Sequence, residues 1–263
     1  MKSDPDLCAD HELLRFSRVF FRFSDETAEW LLHDFSLTLF EEEVVVLLGP
    51  SGCGKTTLLN LMARVLHPKR GLVAINGLGR QESLTTGMVF QSPTLLPWRT
   101  VLDNAAFGLE LRGSVPAEER RSIALEALTD MGLADYAHSY PHEISGGMQQ
   151  RVALLRAVMP APRLLLLDEP FSSLDFVTKR QIHIDLSERI EQTKCLTVLV
   201  THDLEDTLVL GDRVIVLGRR PLEVVEDFRI AVSRGSRLAD DFDSRLSLAE
   251  HRARIWRRWT DVL

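Results

Sequence analysis

Length, composition and charge place this chain among ordinary globular proteins. Its 263 residues suffice for one domain, or for one domain with a sizeable insertion. Apolar residues make up 45% of the chain and charged residues 26%, which excludes long disorder, collagen-like repeats and a disulfide-dense scaffold. The 31 Lys and Arg against 38 Asp and Glu give a net charge of −7. That charge disfavours a protein that coats DNA or RNA, so we expect no nucleic-acid partner.

The cysteines and the N-terminal sequence bear on the compartment. Cys8, Cys53 and Cys195 are widely scattered and share no metal-ligand spacing, so we expect free thiols in a reducing compartment. The N-terminal residues lack the charged-then-apolar order of a signal peptide, and no apolar run approaches about 18 residues. We therefore expect a cytoplasmic protein that reaches a membrane only through a partner.

Strands dominate the first fifty residues. The segment 13–40 predicts two or three β segments, because Leu37 and Leu39 alternate with polar neighbours. The segment 44–48 is apolar at every position, as expected of a parallel strand buried on both faces. After a glycine-rich turn, apolar residues at helical spacing predict a helix over about 55–66.

The rest of the chain alternates between helices and strands. Helices are predicted over 101–111, 117–131, 145–158 and 178–190. Strands are predicted over 163–167, 196–200 and 214–217. This alternation indicates an α/β fold with a largely parallel sheet. A charged tail follows at 233–263, for which we expect a short amphipathic helix that caps the fold; the alternative is a contact with a membrane surface or a partner.

A glycine-rich octet carries the first piece of chemistry. The run Gly49-Pro50-Ser51-Gly52-Cys53-Gly54-Lys55-Thr56 fits the pattern G-x-x-x-x-G-K-[ST] between a predicted strand and a predicted helix. The backbone N–H groups of such a loop point at the oxygens of a polyphosphate. Lys55 can reach the β and γ phosphates, and the Thr56 hydroxyl can ligate Mg²⁺. The alternative is a glycine turn with an exposed lysine, which the strand and helix on either side disfavour.

Two more elements add to the phosphate chemistry. Asp168 follows the predicted strand 163–167 and can hold the Mg²⁺ shell, while Glu169 can polarise a water for attack on a γ-phosphate. Ser145-Gly146-Gly147 opens a predicted helix and makes a second anion-binding helix end. Each of these alone would more often be an ordinary turn or helix start. The phosphate loop in the same chain favours the functional interpretation.

In this order, the motifs resemble the nucleotide-binding subunit of ABC transporters. The resemblance covers about residues 13–230 and adds Gln91 after a strand, the signature at 144–148, the segment 172–175 and His202 after a strand. The stretches 89–104 and 140–143 look most like the branch that serves nitrate, sulfonate and taurine importers. The resemblance implies an ABC ATPase domain over 13–232, with an N-terminal antiparallel β subdomain and a helical insertion at about 92–144.

The resemblance also implies ATP and Mg²⁺ as cofactors and gives further residues a role. Thr57 joins the phosphate loop in binding ATP. Gln91 senses Mg²⁺ and the γ-phosphate and joins Thr56 and Asp168 as a metal ligand. His202 contacts the γ-phosphate, so that it and Gln91 complete the catalytic group around the general base.

A head-to-tail dimer that closes on two ATP molecules is implied as well. In such a dimer Ser145, Gly146 and Gly147 of one copy face the phosphates bound by Lys55 of the other copy. Asp175 lines the dimer contact. Membrane-spanning permease subunits are the expected partners, with a solute-binding protein acting indirectly, at the cytoplasmic face of the inner membrane.

Three features depart from the family pattern or leave it open. Ile144 replaces the usual leucine of the signature, an apolar exchange that should keep the packing. The run 41–43 is Glu-Glu-Glu where the family commonly has a glycine before a glutamate, which puts the local turn in doubt. Phe23 is expected to stack on adenine, with Phe20 and Phe21 as alternatives.

The leading hypothesis is an ATPase that powers uptake of a small solute, such as nitrate, a sulfonate or taurine. Trp98 and its neighbours then form either core of the helical insertion or the dock for the membrane partner. The alternative is an ABC ATPase without transport. Repair types carry a very long coiled coil before the signature and translation types carry two cassettes, and the sequence has neither. A small-molecule kinase is disfavoured by the Ser-Gly-Gly element and His202, and a non-hydrolysing module by Glu169.

Overall fold

The computed structural model describes most of the chain. The described residues are 12–24, 29–76, 86–113, 115–172, 174–218, 221–239 and 242–262. Within them lie nine strands: β1 (Glu12–Phe21), β2 (Leu32–Phe40), β3 (Val44–Leu48), β4 (Arg70–Ile75), β5 (Thr86–Val89), β6 (Leu164–Asp168), β7 (Leu196–Val200), β8 (Arg213–Leu217) and β9 (Val224–Arg229). Cys8 lies outside the described residues, and Cys53 and Cys195 are buried thiols.

Eight α-helices lie in the same part of the chain. They are α1 (Lys55–Met62), α2 (Val101–Arg112), α3 (Ala117–Asp130), α4 (Gly146–Val158), α5 (Phe176–Thr193), α6 (Leu204–Leu210), α7 (Arg234–Ala239) and α8 (Phe242–Val262). No helix among the described residues has the length and apolarity needed to cross a bilayer. The chain divides into two compact units, one of Met1–Ser83 with Leu196–Leu263 and one of Leu84–Cys195. The division into 13–232 and 233–263 stays a prediction.

The first unit contains an antiparallel sheet and a group of mainly parallel strands. β1 lies between β2 and β4 and pairs antiparallel with both. β3 lies between β7 and β8 and is parallel to both, while β9 adds antiparallel to β8. Every residue of β3 and β7 is buried, which explains their unbroken apolar sequence. The predicted α/β fold with its antiparallel β subdomain is confirmed.

The second unit combines a parallel strand pair with a helical core. β5 and β6 pair in parallel, with Val89 aligned to Leu167. The helices α2, α3 and α4 pack around an apolar cluster, which includes Val101, Leu128 and Leu155. The predicted helices of this region are therefore present, with ends that differ by a few residues from the expected ones.

The helix after the phosphate loop is shorter than the predicted span 55–66. It ends at Met62. Arg64 adopts a φ of 58°, and the N–H groups of Val65 and Leu66 donate to the Asn60 carbonyl at 2.9 and 3.1 Å. This turn closes the helix with a left-handed residue, a common way for helices to end. The apolar spacing that continues to position 66 could not reveal it.

The tail is longer than the predicted short helix. It forms α7 and then α8, which spans 21 residues. Ile255 is fully buried, and Arg254 and Arg258 form salt bridges with Glu226 of β9 at 2.6 and 3.2 Å. α7 and α8 also contact α6, and α8 contacts β8. The tail is thus part of the packed body of the first unit.

Candidate active site

The phosphate loop connects β3 to α1. Gly52 and Gly54 have φ angles of 76° and 122°, which residues with a Cβ rarely adopt. A Cβ on Gly54 would also lie 3.1 Å from Cδ1 of Leu31. Gly54 is the N-cap of α1, and its carbonyl accepts the N–H of Leu58 at 2.9 Å. The glycines therefore let the loop run directly into the amino end of α1. A glycine-rich loop followed by a helix amino end is the arrangement that binds anions.

Lys55 lies over the loop rather than in solvent. Lys55 is only 8% exposed, and its Nζ donates to the carbonyls of Gly49 and Pro50 at 2.8 and 3.0 Å. Thr56 next to it is exposed at the start of α1, whereas Thr57 is buried. The cation and the hydroxyl expected at the phosphates are therefore held at the same helix end.

Cys53 packs the base of the loop. It is buried, and its N–H donates to the Pro50 carbonyl at 3.3 Å. A Cβ on Gly49 would meet Cys53 Sγ at 3.1 Å and the Leu217 carbonyl at 2.9 Å. Ser51 is exposed at the top of the loop. The thiol thus fills space behind the loop.

The three candidate aromatic side chains differ sharply in exposure. Phe21 is buried, and Phe20 is half-buried among neighbouring rings. Phe23 is 70% exposed and packs edge-on against Phe21, with ring centres 5.2 Å apart. Leu31 borders Gly54 and donates its N–H to the Phe21 carbonyl at 2.9 Å. Phe23 is therefore the most exposed of the three rings, and its contact with adenine stays a prediction.

His202 and the phosphate loop lie at the same sheet edge. The parallel register of β3 and β7 aligns Leu47 with Val200. Gly49 and His202 each lie two residues beyond this aligned pair, and the carboxyl ends of adjacent parallel strands meet at one edge. His202 is exposed there.

Hydrogen bonds on both sides of His202 fix its backbone, and the sequence analysis missed the residues that make them. Asp203 caps α6 by accepting the N–H of Glu205 at 2.7 Å. Thr201 Oγ1 donates to Asp206 Oδ2 at 2.8 Å and accepts the Asp203 N–H at 3.0 Å. An aspartate just before a short apolar segment was the available signal for this cap.

Gln91 and Glu169 are joined directly. Because Val89 and Leu167 are aligned in parallel strands, Gln91 and Glu169 lie at equal distances beyond them. Gln91 Nε2 donates to Glu169 Oε2 at 3.3 Å. Asp168 is the last residue of β6 and is buried. The structure therefore brings together the amide and the two carboxylates predicted for this edge.

Glu169 has an unusual backbone conformation. Its φ is 46°, in the left-handed region that non-glycine residues seldom adopt. Its carbonyl accepts hydrogen bonds from the N–H and Oγ of Ser172 at 3.3 and 3.1 Å. Pro170 and Phe171 after it are buried. Such local strain, of the order of 1–3 kcal/mol, persists only where the surroundings hold it, and it is concentrated at functional sites.

Ser145 caps α4 and leaves the amino end of that helix exposed. Its Oγ accepts the N–H of Met148 at 3.3 Å, and both Ser145 and Gly146 are exposed. A Cβ on Gly146 would meet no atom within 4 Å. Gly147 follows and is half-buried. Ile144 is buried in the helical core, so the exchange of leucine for isoleucine keeps an apolar contact.

Asp175 caps the next helix. Its Oδ1 accepts the N–H of Thr178 at 3.0 Å at the start of α5. Hydrogen bonds from Thr178 lower the pKa of the Asp175 carboxyl below its usual value. The side chain is exposed, so a charged carboxylate stands on the surface beside the segment that follows Glu169.

Trp98 is not core of the helical insertion. It is 72% exposed, although the segment that carries it is tightly ordered. The side chain of the buried Asn104 accepts the Leu96 N–H at 2.7 Å and donates to the carbonyls of Leu96, Arg99 and Thr100. An exposed indole on a fixed segment is typical of a contact with another protein.

The acidic run before β3 keeps the turn that was in doubt. Glu42 adopts a φ of 62°, the conformation for which glycine is the usual residue. Glu43 is buried and accepts the Phe40 N–H at 2.9 Å. It also forms salt bridges with Arg213 and Arg229 at 3.3 and 3.1 Å. Burial raises the pKa of the Glu43 carboxyl above its usual value, although the hydrogen bond from Phe40 and the two arginines act to lower it.

The predicted site residues are divided between the two units. The first unit holds Phe23, the loop 49–57 and His202, and the second holds Gln91, Ser145, Gly146, Gly147, Asp168, Glu169 and Asp175.

The chain is similar in sequence to known proteins. A family profile described as ABC transporter matches residues 32–172. The taurine import ATP-binding protein TauB of Yersinia pestis bv. Antiqua (strain Antiqua) is 43% identical over 210 residues, which are 80% of this chain and 81% of that protein. The glycine betaine/proline betaine transport system ATP-binding protein ProV of Escherichia coli (strain K12) is 43% identical over 194 residues, 70% of this chain and 48% of that protein.

Solved structures agree with the fold. The dimeric post-hydrolysis state of the ATP-binding cassette MJ0796, bound to ADP and Pi, has a TM-score of 0.73 against this chain at 31% identity. The match covers 84% of this chain and all of that one.

Proposed function

This chain belongs to the ABC transporter family, and we propose that it is the ATP-hydrolysing subunit of an importer for taurine or a related small sulfonate. The observation that carries the proposal is the 43% identity to a taurine import ATP-binding protein over 80% of the chain. The chain is an ATPase of this family, and its residues supply a chemical route for hydrolysis.

The phosphate loop and the exposed ring of Phe23 bind the nucleotide. The N–H groups of the loop and of the amino end of α1 donate to phosphate oxygens. Lys55 exchanges its bonds to two loop carbonyls for the β and γ phosphates, which are stronger acceptors because they are charged. Phe23 stacks on the adenine.

Three oxygen donors predicted as metal ligands fit Mg²⁺. The Thr56 hydroxyl, the Asp168 carboxylate and the Gln91 amide oxygen are hard ligands of the kind this ion takes. The Gln91 amide nitrogen is already used toward Glu169, so its oxygen is the atom that would ligate. When bound, the ion neutralises charge on the β and γ phosphates.

Glu169 acts as the general base. Its carboxylate orients the attacking water and takes its proton, while the hydrogen bond from Gln91 holds the carboxylate in place. His202, fixed by hydrogen bonds on both sides, donates to the γ-phosphate. Ser145, at an exposed helix end, binds the same phosphate from the second copy.

The working form is a head-to-tail dimer attached to membrane-spanning permease subunits. The ATPase lies at the cytoplasmic face of the inner membrane, and a solute-binding protein delivers solute to the permease. The exposed Trp98, on a segment fixed by Asn104, contacts the permease. ATP closes the dimer, and this closure moves the permease.

The test measures which solute stimulates hydrolysis. The subunit is co-purified with its permease in lipid nanodiscs, the solute-binding protein is added, and phosphate release is followed with taurine, an alkanesulfonate, nitrate or glycine betaine. Taurine or the alkanesulfonate should stimulate hydrolysis, and the E169Q complex serves as the blank. Stimulation by glycine betaine alone would overturn the solute assignment and leave the ATPase assignment standing.

A further inference from the structure

Arg237, a residue of the charged tail, lies against the segment 208–212 at the end of α6. It is only 4% exposed. Its Nη1 donates to the carbonyls of Leu208 and Gly211 at 2.9 and 2.6 Å, and its Nη2 donates to Asp212 Oδ1 at 3.2 Å. Three acceptors from one short segment therefore depend on a side chain that comes from α7.

Two of these acceptors belong to the carboxyl end of α6. The last carbonyls of a helix have no partner within the helix, and the helix dipole favours a positive charge there. α6 has only seven residues, too few to be stable by itself. Burial lowers the pKa of Arg237 to about 10, so the guanidinium stays charged at neutral pH and can fill this role.

A cavity interrupts the packing on one side of α6. A cavity of about 350 Å³ lies between α6, α7 and α8, and its walls include Leu208 and Val209 of α6 together with Leu248 and Arg252 of α8. Beside this cavity, the hydrogen bonds of Arg237 connect the carboxyl end of α6 to the tail.

The third acceptor connects Arg237 to the strand before the phosphate loop. Asp212 Oδ2 accepts the N–H of Val44 at 2.9 Å, and the Asp212 N–H donates to the Val44 carbonyl at 2.8 Å. Val44 opens β3, which ends one residue before Gly49. Arg234 also pairs with Asp212 Oδ1 at 3.2 Å.

His202 lies just before the opposite end of α6. The helix is about 10 Å long, and its amino end is joined to His202 through the cap of Asp203 and the bond between Thr201 and Asp206. Because α6 is one short helix with hydrogen bonds at both ends, a displacement of its carboxyl end would also move His202.

We propose that Arg237 is a positioning residue of the ATP site, which places His202 by anchoring α6 to Asp212 and β3. The proposal rests on the role of His202 in the proposed function. Misplacing a reacting group by about 1 Å can cost about 100-fold in rate. Loss of Arg237 should therefore slow turnover while nucleotide binding at the phosphate loop remains.

The test compares R237M with R252M in the full-length chain assembled with its permease. Both changes remove an arginine from the wall of the same cavity. Only Arg237 donates hydrogen bonds to the carbonyls of Leu208 and Gly211 at the end of α6. R237M should lower kcat by about tenfold or more, with KM for ATP changed less than about threefold, and R252M should leave both unchanged. R237K keeps the charge and should recover part of the loss.

A second readout follows His202 itself. The ring resonance of His202, assigned by its disappearance in H202A, should shift in R237M and stay in place in R252M. Slow turnover in R237M with an unshifted ring, or unchanged turnover in R237M, overturns the proposal. If R237M does not fold, R237K must show the same ring shift and a reduced kcat for the proposal to stand. If the wild-type complex itself does not hydrolyse ATP, the proposed function fails instead.

Discussion

Gln91 Nε2 donates to Glu169 Oε2 at 3.3 Å, and both residues lie two positions beyond an aligned pair of β5 and β6. The contact follows from the parallel register, because equal offsets at neighbouring strand ends bring side chains to one edge. Glu169 has a φ of 46° directly after the end of β6, so its backbone departs from the extended conformation of the strand. The hydrogen bond from Gln91 thus restrains the Glu169 carboxylate at this sheet edge.

Replacing Glu169 by glutamine separates binding from hydrolysis. The amide keeps the size of the side chain but cannot take a proton, so we expect kcat to fall by about 100-fold or more, with the Kd for ATP nearly unchanged. Equilibrium binding of a fluorescent ATP analogue and phosphate release measure the two quantities. E191Q, an exposed glutamate on α5, is the control. Hydrolysis close to wild type in E169Q would remove Glu169 from the role of base.

Glu42 offers a stability test of the turn before β3. A left-handed conformation costs a residue with a Cβ roughly 1 kcal/mol, and Glu42 has a φ of 62°. We therefore expect E42G to raise the free energy of unfolding by about 0.5–1 kcal/mol in urea titrations.

The neighbouring substitution E41G is the matched control for E42G. Residue 41 is not among the described residues with positive φ, so a glycine there should lower the stability by about 0.5–1 kcal/mol. Equal effects of the two substitutions would mean that the backbone conformation of Glu42 does not limit the stability.

How far the sequence could predict this structure depends on the kind of interaction. The strand 44–48 and the loop 49–56 were predicted because their signals are local, an unbroken apolar run and a spaced set of glycines. The end of α1 was not, because a left-handed Arg64 stops the helix while the apolar spacing continues.

The tail shows the other limit. Its charges look like those of a solvated segment, and only the fold shows that Arg254 and Arg258 meet Glu226. The role of Arg237 could not be predicted either, because it donates to the backbone carbonyls of Leu208 and Gly211, which no sequence pattern marks. Long-range contacts between a charge and a helix end leave no periodic signal.

Asp175 should make part of the stability depend on pH. Hydrogen bonds from Thr178 lower the pKa of its carboxyl in the folded chain, so its contribution is present above the unfolded pKa of about 3.9. The contribution is lost as the pH falls through the folded pKa. D175A should therefore lower Tm at about pH 7, and the difference from wild type should shrink at about pH 3.

D175N is the control for this prediction. Asparagine caps helices about as well as aspartate, so D175N should lose less Tm than D175A at neutral pH. Circular dichroism melts of the purified chain at the two pH values suffice. A deficit of D175A that stays constant between them would show that the charge of Asp175 does not stabilise α5.

In the proposed dimer, each ATP lies between Lys55 of one copy and Ser145 of the other, and variants of these two residues test that arrangement. Ser145 Oγ accepts the Met148 N–H, so an arginine at this position would remove a cap as well as a phosphate contact. Aspartate also caps well, and its charge repels phosphate. S145D should therefore fold like the wild type and fail to hydrolyse ATP. K55A should also be inactive, because it lacks the cation aimed at the β and γ phosphates.

Mixing these two inactive variants should restore part of the activity. In a head-to-tail dimer of one K55A and one S145D subunit, one site combines the intact phosphate loop of one copy with the intact Ser145 of the other. The second site carries both defects, so at most about half of the wild-type activity per mixed dimer is expected, provided that one site can turn over alone. Phosphate release is measured across mixing ratios, with each variant alone as the blank. If the mixture is as inactive as its components while crosslinking shows that mixed dimers form, Ser145 and Lys55 do not act on the same nucleotide from opposite copies.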